Sequence, residues 1–173
     1  GLFLLVWLIN VFNFMDAIDG MALSGSSLIA ISAGYIIFLS EGANLNSMIF
    51  FILAGVCISF LIFNFPPASI FMGDSGSLFL GYYFGCMIIK TIIDNDLSYW
   101  TWLILLSHFL VETTLSTLLR IKLTRMWYKA HRALAYQNLA RILDSHKLVT
   151  LGSVLHYLIW LFPLALLSFY YEH

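Results

Sequence analysis

Charged residues are scarce in this chain of 173 residues. Asp, Glu, Lys and Arg make up only 10% of it, against about 25% in an ordinary soluble domain. Hydrophobic residues reach 61%, and the mean hydropathy is +0.93. The net charge of −1 gives no sign of a nucleic-acid partner. The composition therefore predicts an integral membrane protein.

Cysteine is also scarce, because the chain has only Cys57 and Cys86, each inside an apolar run. No Cys and His pair has the spacing of a zinc site, so we interpret both thiols as small core residues. The first residues, GLFLLVWLIN, carry neither an initiator methionine nor the basic start of a signal peptide. We expect the sequence to be a piece of something longer.

The apolar runs predict an all-α fold, a polytopic bundle of transmembrane helices. The run over residues 1–14 is too short to cross a bilayer alone, which indicates a truncated first span. Five full spans are predicted at about 22–40, 48–63, 78–93, 99–119 and 148–170. There is no internal repeat and no second domain, so residues 1–173 form one membrane domain.

Small residues recur every four positions in two of the predicted spans. One series is Ala22, Ser26, Ala30 and Gly34, and the other is Ser77, Gly81 and Gly85. Such stripes let membrane helices approach closely, so we interpret them as packing contacts. His108 and Glu112, one helical turn apart in the fourth span, are interpreted as a pair that locks the bundle.

Three polar segments, 15–21, 64–77 and 120–147, alternate with the short loops 41–47 and 94–98. Because successive spans alternate in direction, the three longer segments share one side of the membrane. Residues 120–147 hold seven of the eight Lys and Arg residues, and positive charge marks the cytoplasmic side. We therefore expect all three segments to face the cytoplasm and to form one site.

The segment NFPPASIFMGDSGS, residues 64–77, interrupts two apolar runs. Pro66 and Pro67 stop a helix, and Gly73 and Gly76 bracket the single carboxylate of Asp74. Ser75 and Ser77 are predicted to cap the helix that follows. A helix start of this kind favours a phosphate, and a carboxylate beside it can hold the Mg²⁺ that accompanies phosphate.

Four polar residues recur every three positions before the second span: Asn10, Asn13, Asp16 and Asp19. On a helix this spacing keeps them near one face, and Gly20 closes the turn. Together with Asp74, and with Lys129, His131, Arg132 and Arg141 nearby, they suit phosphoryl transfer on a nucleotide. The alternatives are that Asp16 and Asp19 solvate a helix end, that Asp74 caps a helix, and that the basic segment is only a topology signal.

The motifs resemble those of the polyprenyl-phosphate N-acetylhexosamine-1-phosphate transferases, or glycosyltransferase family 4. INVFNFMDAIDGM resembles the family's Asn-rich segment, and FNFPPASIFMGDSGS resembles its signature loop almost residue for residue. VETTLSTLLR, residues 111–120, resembles the segment before the histidine loop. HRALAYQ resembles the His-Arg-x-His-x-Tyr-Gln form of the O-antigen branch, with Leu134 in place of the second histidine.

The resemblance implies the C-terminal half of an enzyme of about ten spans. An aspartate pair expected on an earlier loop is absent from these residues, so this piece alone is expected to be inactive. The implied reaction transfers an N-acetylhexosamine 1-phosphate from a UDP-sugar to undecaprenyl phosphate and releases UMP. It would require Mg²⁺, with Mn²⁺ as the alternative cation. It would take place at the cytoplasmic face of the bacterial inner membrane and start O-antigen, lipopolysaccharide or cell-wall polysaccharide synthesis, with a homodimer as one assembly it allows.

The resemblance also implies roles for residues of this chain. The expected catalytic residues are Asp16, Asp19, Asp74 and His131, and the expected metal ligands are Asp16 and Asp74. The expected substrate-binding residues are Asn10, Asn13, Asn64, Gly73, Ser75, Arg132 and Gln137.

Two other readings stay open at this point. A transporter or flippase for an anionic solute would share the polar loops, but it should place ionisable residues near the bilayer midplane and show repeated broken helices. An inactive remnant of a truncated gene is the third reading.

Overall fold

The computed structural model describes residues 2–123 and 134–172, and these residues form helices joined by short turns. The helices are α1 (Leu2–Met15), α2 (Met21–Glu41), α3 (Leu45–Asn64), α4 (Gly73–Ile93), α5 (Tyr99–Leu123), α6 (Ala135–Ile142), α7 (His146–His156) and α8 (Phe162–Glu172). A π-helical turn, Tyr157–Leu161, joins α7 to α8. The all-α prediction is confirmed.

Five helical stretches are long and apolar enough to cross a membrane. They are Met21–Glu41, Leu45–Asn64, Gly73–Ile93, Tyr99–Lys122 and His146–Tyr171, and α1 is a shorter apolar helix before them. The five predicted spans and the short first one are therefore confirmed. Large apolar side chains on these helices face outwards, such as Ile62 at 74% and Ile159 at 69% exposed, as expected for a lipid-facing surface.

The helices pack closely where the sequence places small residues. α2 packs along α3, and α1 packs along α4. A Cβ atom added at Gly81 of α4 would lie 2.6 Å from the Ile9 Cα of α1, so only glycine allows these two backbones to touch. At Gly34 of α2 an added Cβ would lie 3.1 Å from the Phe50 Cβ of α3. Both stripes are therefore packing contacts, as predicted.

Three phenylalanine rings join α1, α4 and α5 in the core. Phe12 stacks on Phe84 with ring centroids 5.0 Å apart, and it meets Phe109 edge-on at 5.2 Å. All three side chains are at most 2% exposed. This cluster fixes the end of α1 beside α4 and thereby brings residues 15–21 close to the start of α4.

The end of α1 differs from the prediction. α1 stops at Met15, and residues 16–20 form a turn that closes at Gly20, whose φ is +74°. The prediction that Asp16 and Asp19 follow Asn10 and Asn13 along one helix face was therefore wrong. The far end of this turn is held by the Gly20 N–H, which donates to the Asn64 side chain across the bundle over 3.0 Å.

The start of α4 also differs from the prediction. The helix begins at Gly73, whose φ of +65° suits glycine, so Ser75 and Ser77 lie inside it and do not cap it. The Ser77 hydroxyl instead lies 3.2 Å from the Gly73 carbonyl. At α7 a serine cap is present, because Leu148 N donates to the Ser145 hydroxyl over 3.2 Å.

The loops divide between the two ends of the bundle as predicted. At one end, residues 15–21, 64–77 and the described part of 120–147 touch one another. At the other end, the Asn46 amide nitrogen donates to Asp94 over 2.9 Å and also to Asp96, which joins the loops before α3 and before α5.

His108 and Glu112 do not form the predicted pair. The His108 Nε2 atom lies 2.8 Å from the Ser153 hydroxyl, and the Glu112 Oε1 atom accepts the Tyr136 N–H over 2.7 Å. Each side chain instead joins α5 to another helix, Glu112 to α6 and His108 to α7.

Candidate active site

Asp16 and Asp74 lie beside each other at one end of the bundle. Asp16 follows α1, and Asp74 lies in the first turn of α4. Burial, followed in size by the nearby negative charge of Asp74, raises the pKa of the Asp16 carboxyl to about 6. The two carboxylates thus share one location, where the charge of Asp74 makes ionisation of Asp16 less favourable.

Each carboxylate is held by the segment that carries the other. The Asn13 Nδ2 atom donates to Asp74 Oδ1 and to the Ser77 hydroxyl, both over 3.0 Å. The backbone of Gly73 hydrogen-bonds the Asp16 carboxyl in return. Asp16, after the end of α1, and Asp74, at the start of α4, therefore form one acidic group. It lies at one end of these two packed helices.

Side chains from three other helices hold the backbone of the Asp16–Gly20 turn and of Phe14, which lies just before it in α1. Asn64 of α3 accepts the Gly20 N–H, and its amide nitrogen donates to the Ile70 carbonyl over 2.9 Å. The Thr150 hydroxyl of α7 donates to the Asp19 carbonyl over 3.0 Å. The Tyr136 hydroxyl of α6 donates to the Phe14 carbonyl. These bonds leave the turn little freedom.

A cleft of about 920 Å³ adjoins the turn. Its walls are Ile18 and Asp19, the two prolines of residues 64–77, and the α6–α7 connection with Arg141, His146 and Lys147. The Asp19 carboxylate lies 3.4 Å from the His146 Nδ1 atom and accepts the Ala68 N–H over 3.3 Å. Basic and acidic groups thus face each other across a space large enough for a nucleotide-sized ligand.

The sequence of this acidic end matches a known family. The family model described as glycosyl transferase family 4 matches residues 1–92, which include both Asp16 and Asp74. The chain belongs to glycosyl transferase family 4.

Individual relatives of this family-4 chain carry related names. It is 41% identical over 118 residues to a phospho-N-acetylmuramoyl-pentapeptide-transferase of Listeria welshimeri, a match of 65% of this chain and 34% of the relative. A protein of the same name from Prochlorococcus marinus is 35% identical over 130 residues, or 72% of this chain and 34% of the relative. A probable undecaprenyl-phosphate N-acetylglucosaminyl 1-phosphate transferase of Bacillus subtilis is 42% identical over 78 residues, or 45% and 22%.

The matched part of the chain spans about a third of the length of the first of these relatives. The five candidate spans together with the family membership make this a multi-pass membrane protein.

The structure brings together some of the predicted site residues of this family-4 chain and separates others. Asp16, Asp74, Asn13 and Gly73 form one group, and Ser75 is exposed in the first turn of α4. Asp19 and Gln137 lie on the cleft instead. Asn10 donates to the Val6 carbonyl of its own helix over 2.7 Å. His131, Arg132 and Lys129 lie outside the described residues. The catalytic and substrate-binding roles of all these residues stay predictions.

Asn64 is only 2% exposed, and its amide is used by Gly20 and Ile70. Its observed contacts therefore join two loops of the family-4 chain. Direct contact of Asn64 with a substrate stays a prediction.

Three residues near the site were not singled out from the sequence for the contacts they make: Tyr136, Thr150 and His146. Tyr136 and Thr150 donate hydrogen bonds to backbone carbonyls far away in the chain. No pattern of residue spacing predicts such contacts. His146 is a histidine within the basic segment 120–147, and its residue type was the one feature of the sequence that could have suggested a role at the site. Of these, only His146 places a titratable side chain on the cleft.

The acidic group offers two carboxylates to a divalent cation. Among residues 2–123 and 134–172, no three or more His, Cys, Asp and Glu side chains converge on one metal position. Mg²⁺, however, is commonly bound by one or two carboxylates together with substrate phosphates and waters. The adjacent carboxylates of Asp16 and Asp74, which repel each other, fit that donor set.

Proposed function

We propose that the protein containing this chain transfers an N-acetylhexosamine 1-phosphate from a UDP-sugar to undecaprenyl phosphate and releases UMP. The observation that carries the proposal is the shared position of Asp16 and Asp74, at the end of a membrane bundle of glycosyl transferase family 4. The names of its relatives support the same reaction class. One is a phospho-N-acetylmuramoyl-pentapeptide-transferase, and another is a probable undecaprenyl-phosphate N-acetylglucosaminyl 1-phosphate transferase.

Asp16 and Asp74 would hold Mg²⁺, with Mn²⁺ as the alternative. When bound, the cation would offset the negative charge that develops on the diphosphate oxygens. Asn13 keeps the Asp74 carboxylate in place through its bond to Oδ1, and Gly73 does the same for Asp16. The chain would contribute to cation binding by holding these two carboxylates in one fixed arrangement.

In the proposed reaction an oxygen of the lipid phosphate attacks the phosphorus next to the sugar. A new P–O bond forms there, and the bond from that phosphorus to the bridging oxygen of the diphosphate breaks, so that UMP leaves. The acidic group holds the diphosphate near the membrane surface, and His131 and Arg132 would bind its other oxygens or the sugar. Positioning of two charged reactants is the main demand of such a transfer.

The UDP-sugar would occupy the cleft next to Asp19. Arg141, His146 and Lys147 carry or can gain positive charge, and they suit phosphate oxygens. Asp19 and Gln137 offer acceptors and donors for sugar or base groups. The cleft and the acidic group share the Asp16–Gly20 turn, so one elongated donor substrate can reach both.

The lipid would occupy an apolar groove of about 370 Å³ between α3 and α4. α3 packs on α2 and α4 packs on α1, so the two helices leave a gap lined by side chains such as Val56, Phe60 and Phe79. The groove also includes Ser75 and Gly76, which directly follow Asp74. A prenyl chain in this gap would bring its phosphate to the acidic group.

The location proposed for the reaction is the cytoplasmic face of a bacterial inner membrane. Seven of the eight Lys and Arg residues lie in 120–147, and two that the structure describes, Arg141 and Lys147, line the cleft beside Asp19, at the same end of the bundle as the acidic group. A role in starting O-antigen, lipopolysaccharide or cell-wall polysaccharide synthesis, and assembly as a homodimer, belong to the same proposal.

The structure gives the transporter reading less support than the transferase reading. Within the described part of the five spans, the departure from α-helix is the single π-helical turn Tyr157–Leu161. A transporter of the broken-helix type has corresponding interruptions in two repeats. His108 and His156 lie deeper in the bundle, but Asp16, Asp19 and Asp74 lie at its end.

The full-length gene product, purified in detergent, tests the proposal. UDP-N-acetylhexosamines, undecaprenyl phosphate and Mg²⁺ are supplied, and UMP and the lipid-linked sugar diphosphate are measured. Equal amounts of both products, dependent on the lipid and abolished by EDTA, are the expected result. Absence of both products with every UDP-sugar tried, from a protein that is folded and inserted, would exclude the transfer reaction and favour the inactive remnant.

A further inference from the structure

Tyr136 contacts the backbone on both sides of Asp16. Its phenol oxygen donates to the Phe14 carbonyl, and the Ala17 N–H faces the same oxygen. The side chain is only 5% exposed, so water competes little for these contacts. The turn that carries Asp16 is therefore attached to α6 through a single oxygen atom.

Glu112 fixes Tyr136 from the opposite direction. The Glu112 Oε1 atom accepts the Tyr136 backbone N–H over 2.7 Å, at the start of α6. This N–H belongs to the first turn of the helix and has no partner within it. A carboxylate there is also favoured by the helix dipole. The contacts form a chain from α5 through Tyr136 to the Asp16 turn.

Tyr136 follows the basic part of the proposed site closely in the sequence. His131 and Arg132 come a few residues before Tyr136 in the sequence. The Gln137 side chain accepts the Leu134 N–H over 3.2 Å and so fixes the backbone where α6 begins. Tyr136 is thus the point at which the segment leading from His131 and Arg132 is joined to the carboxylate turn.

We infer that Tyr136 and Glu112 are positioning residues, which set the place of the Asp16 carboxylate relative to Asp74. The inference rests on the proposed transfer reaction for its effect on rate, but the anchoring of the turn stands on the contacts alone. Neither residue needs to touch a substrate. Both act through the backbone at Phe14 and Ala17.

Tyr136→Phe in the full-length protein removes the hydroxyl and keeps the ring. The kcat for UMP release should fall about 10- to 100-fold, because a displacement of the order of 1 Å in a catalytic group costs about that much. The KM for the UDP-sugar should change less than about threefold, since Thr150 and Asn64 still hold the Asp19–Gly20 end of the turn, which lines the cleft. A kcat equal to that of the wild type would overturn the inference.

Tyr157→Phe is the matched control. Tyr157 is also a buried phenol, 3% exposed, but it lies in the π-helical turn of the last span. Its loss of a hydroxyl should leave kcat unchanged. An equal loss in both variants would show a general effect of removing a buried hydroxyl and would contradict a specific role for Tyr136.

Two substitutions at Glu112 test the second residue. Glu112→Gln keeps an oxygen acceptor for the Tyr136 N–H, whereas Glu112→Ala removes it. The Ala variant should lose as much kcat as Tyr136→Phe, and the Gln variant should keep at least about half of the wild-type rate. If Gln is as inactive as Ala, the charge and not the bond is used, and the assignment of Glu112 is wrong. This pair carries the test alone if Tyr136→Phe does not fold.

Hydrogen exchange separates the inference from the proposed function. In the Tyr136→Phe protein the peptide covering residues 15–21 should exchange about fivefold faster, the change expected for one ordinary hydrogen bond. Tyr157→Phe should leave that peptide unchanged. If the wild type releases no UMP, the proposed function fails while this measurement still applies. Unchanged exchange in Tyr136→Phe would contradict the anchoring itself.

Discussion

At the scale of single residues, the Asp16 and Asp74 carboxylates are each held in position by the residue that lies near the other in the sequence. Asn13, which precedes Asp16, holds Asp74 at 3.0 Å, and Gly73, which precedes Asp74, hydrogen-bonds Asp16. This exchange of partners fixes the relative position of two residues that are far apart in the sequence. A divalent cation bound there would relieve the repulsion that raises the pKa of Asp16.

The first prediction concerns the Asp74 carboxylate. Asp74→Asn in the full-length protein should lower Mg²⁺-dependent UMP release at least about a hundredfold, because the amide removes one anionic ligand for the cation. Membrane insertion should be unchanged, since the side chain is exposed and the amide keeps its size. UMP release and membrane fractionation measure the two effects.

Asp94→Asn is its control at the opposite end of the bundle. Asp94 is also exposed, and it pairs with Lys90 of the same helix rather than with the acidic group. This variant should keep the wild-type rate. Retained turnover in Asp74→Asn would remove Asp74 from the metal site.

At the scale of helices, the pairing of α1 with α4 determines where the acidic group forms. Asp16 follows the last residue of α1, and Asp74 is the second residue of α4. The two helices touch through Gly81, where an added Cβ would lie 2.6 Å from the Ile9 Cα. Any side chain at this position must therefore separate the helices that carry the two carboxylates.

Gly81→Val tests this connection. The overpacking should lower stability by about 1–3 kcal/mol and also reduce UMP release, although position 81 lies well inside the membrane span. Thermal unfolding in detergent and the UMP assay give the two values. Gly55→Val on α3 is the control, because an added Cβ there meets no atom within 4 Å. Full activity of Gly81→Val would show that α1–α4 packing does not set the site.

The helices differ in how well the sequence predicts them. The five spans follow from apolar length alone, because the bilayer demands a continuous hydrophobic helix. α6 was not predicted, since its eight residues, AYQNLARI, lie in a basic segment without an apolar run. It is amphipathic, and it buries Tyr136, Gln137 and Ala140 against the bundle.

The site shows the same division. That Asp16 and Asp74 meet could be predicted, because alternation of the spans puts their loops on one side of the membrane. The anchors of the turn could not, because the contacts of Tyr136 with Phe14 and of Thr150 with Asp19 join residues 122 and 131 positions apart. Such contacts depend on how the helices pack rather than on local pattern. The early start of α4 at Gly73 likewise depends on a left-handed glycine that the motif allows but does not require.

At the scale of the whole molecule, the acidic group connects an aqueous cleft with an apolar groove. The cleft lies against Asp19 and the α6–α7 connection, and the groove runs between α3 and α4 to Ser75. A transferase that moves a sugar phosphate from a soluble nucleotide to a membrane lipid needs this combination. Each space can be blocked separately.

Val56→Trp should fill the groove. Val56 lines it from α3, so the larger ring should raise the KM for undecaprenyl phosphate about tenfold or more and leave the KM for the UDP-sugar unchanged. Ile62→Trp is the control, because Ile62 is 74% exposed on the same helix and does not line the groove. Equal KM values for the lipid in the two variants would place the prenyl chain elsewhere.

The orientation of the bundle gives a further prediction. In a Cys86→Ser background, which removes the exposed native thiol, single cysteines are placed at exposed Ala43 and exposed Ser69. A membrane-impermeant maleimide applied from outside should label Ala43→Cys in intact spheroplasts and label Ser69→Cys only after permeabilisation. The reverse pattern would put the acidic group on the outer face.

Cation binding by the purified full-length protein tests the central claim most directly, with Mn²⁺ as a paramagnetic probe. Its free concentration is followed by electron paramagnetic resonance in the presence of a UDP-N-acetylhexosamine. We predict one bound Mn²⁺ per chain in the wild type, with affinity at least about tenfold weaker in both Asp16→Asn and Asp74→Asn. Wild-type affinity in both variants would contradict this prediction.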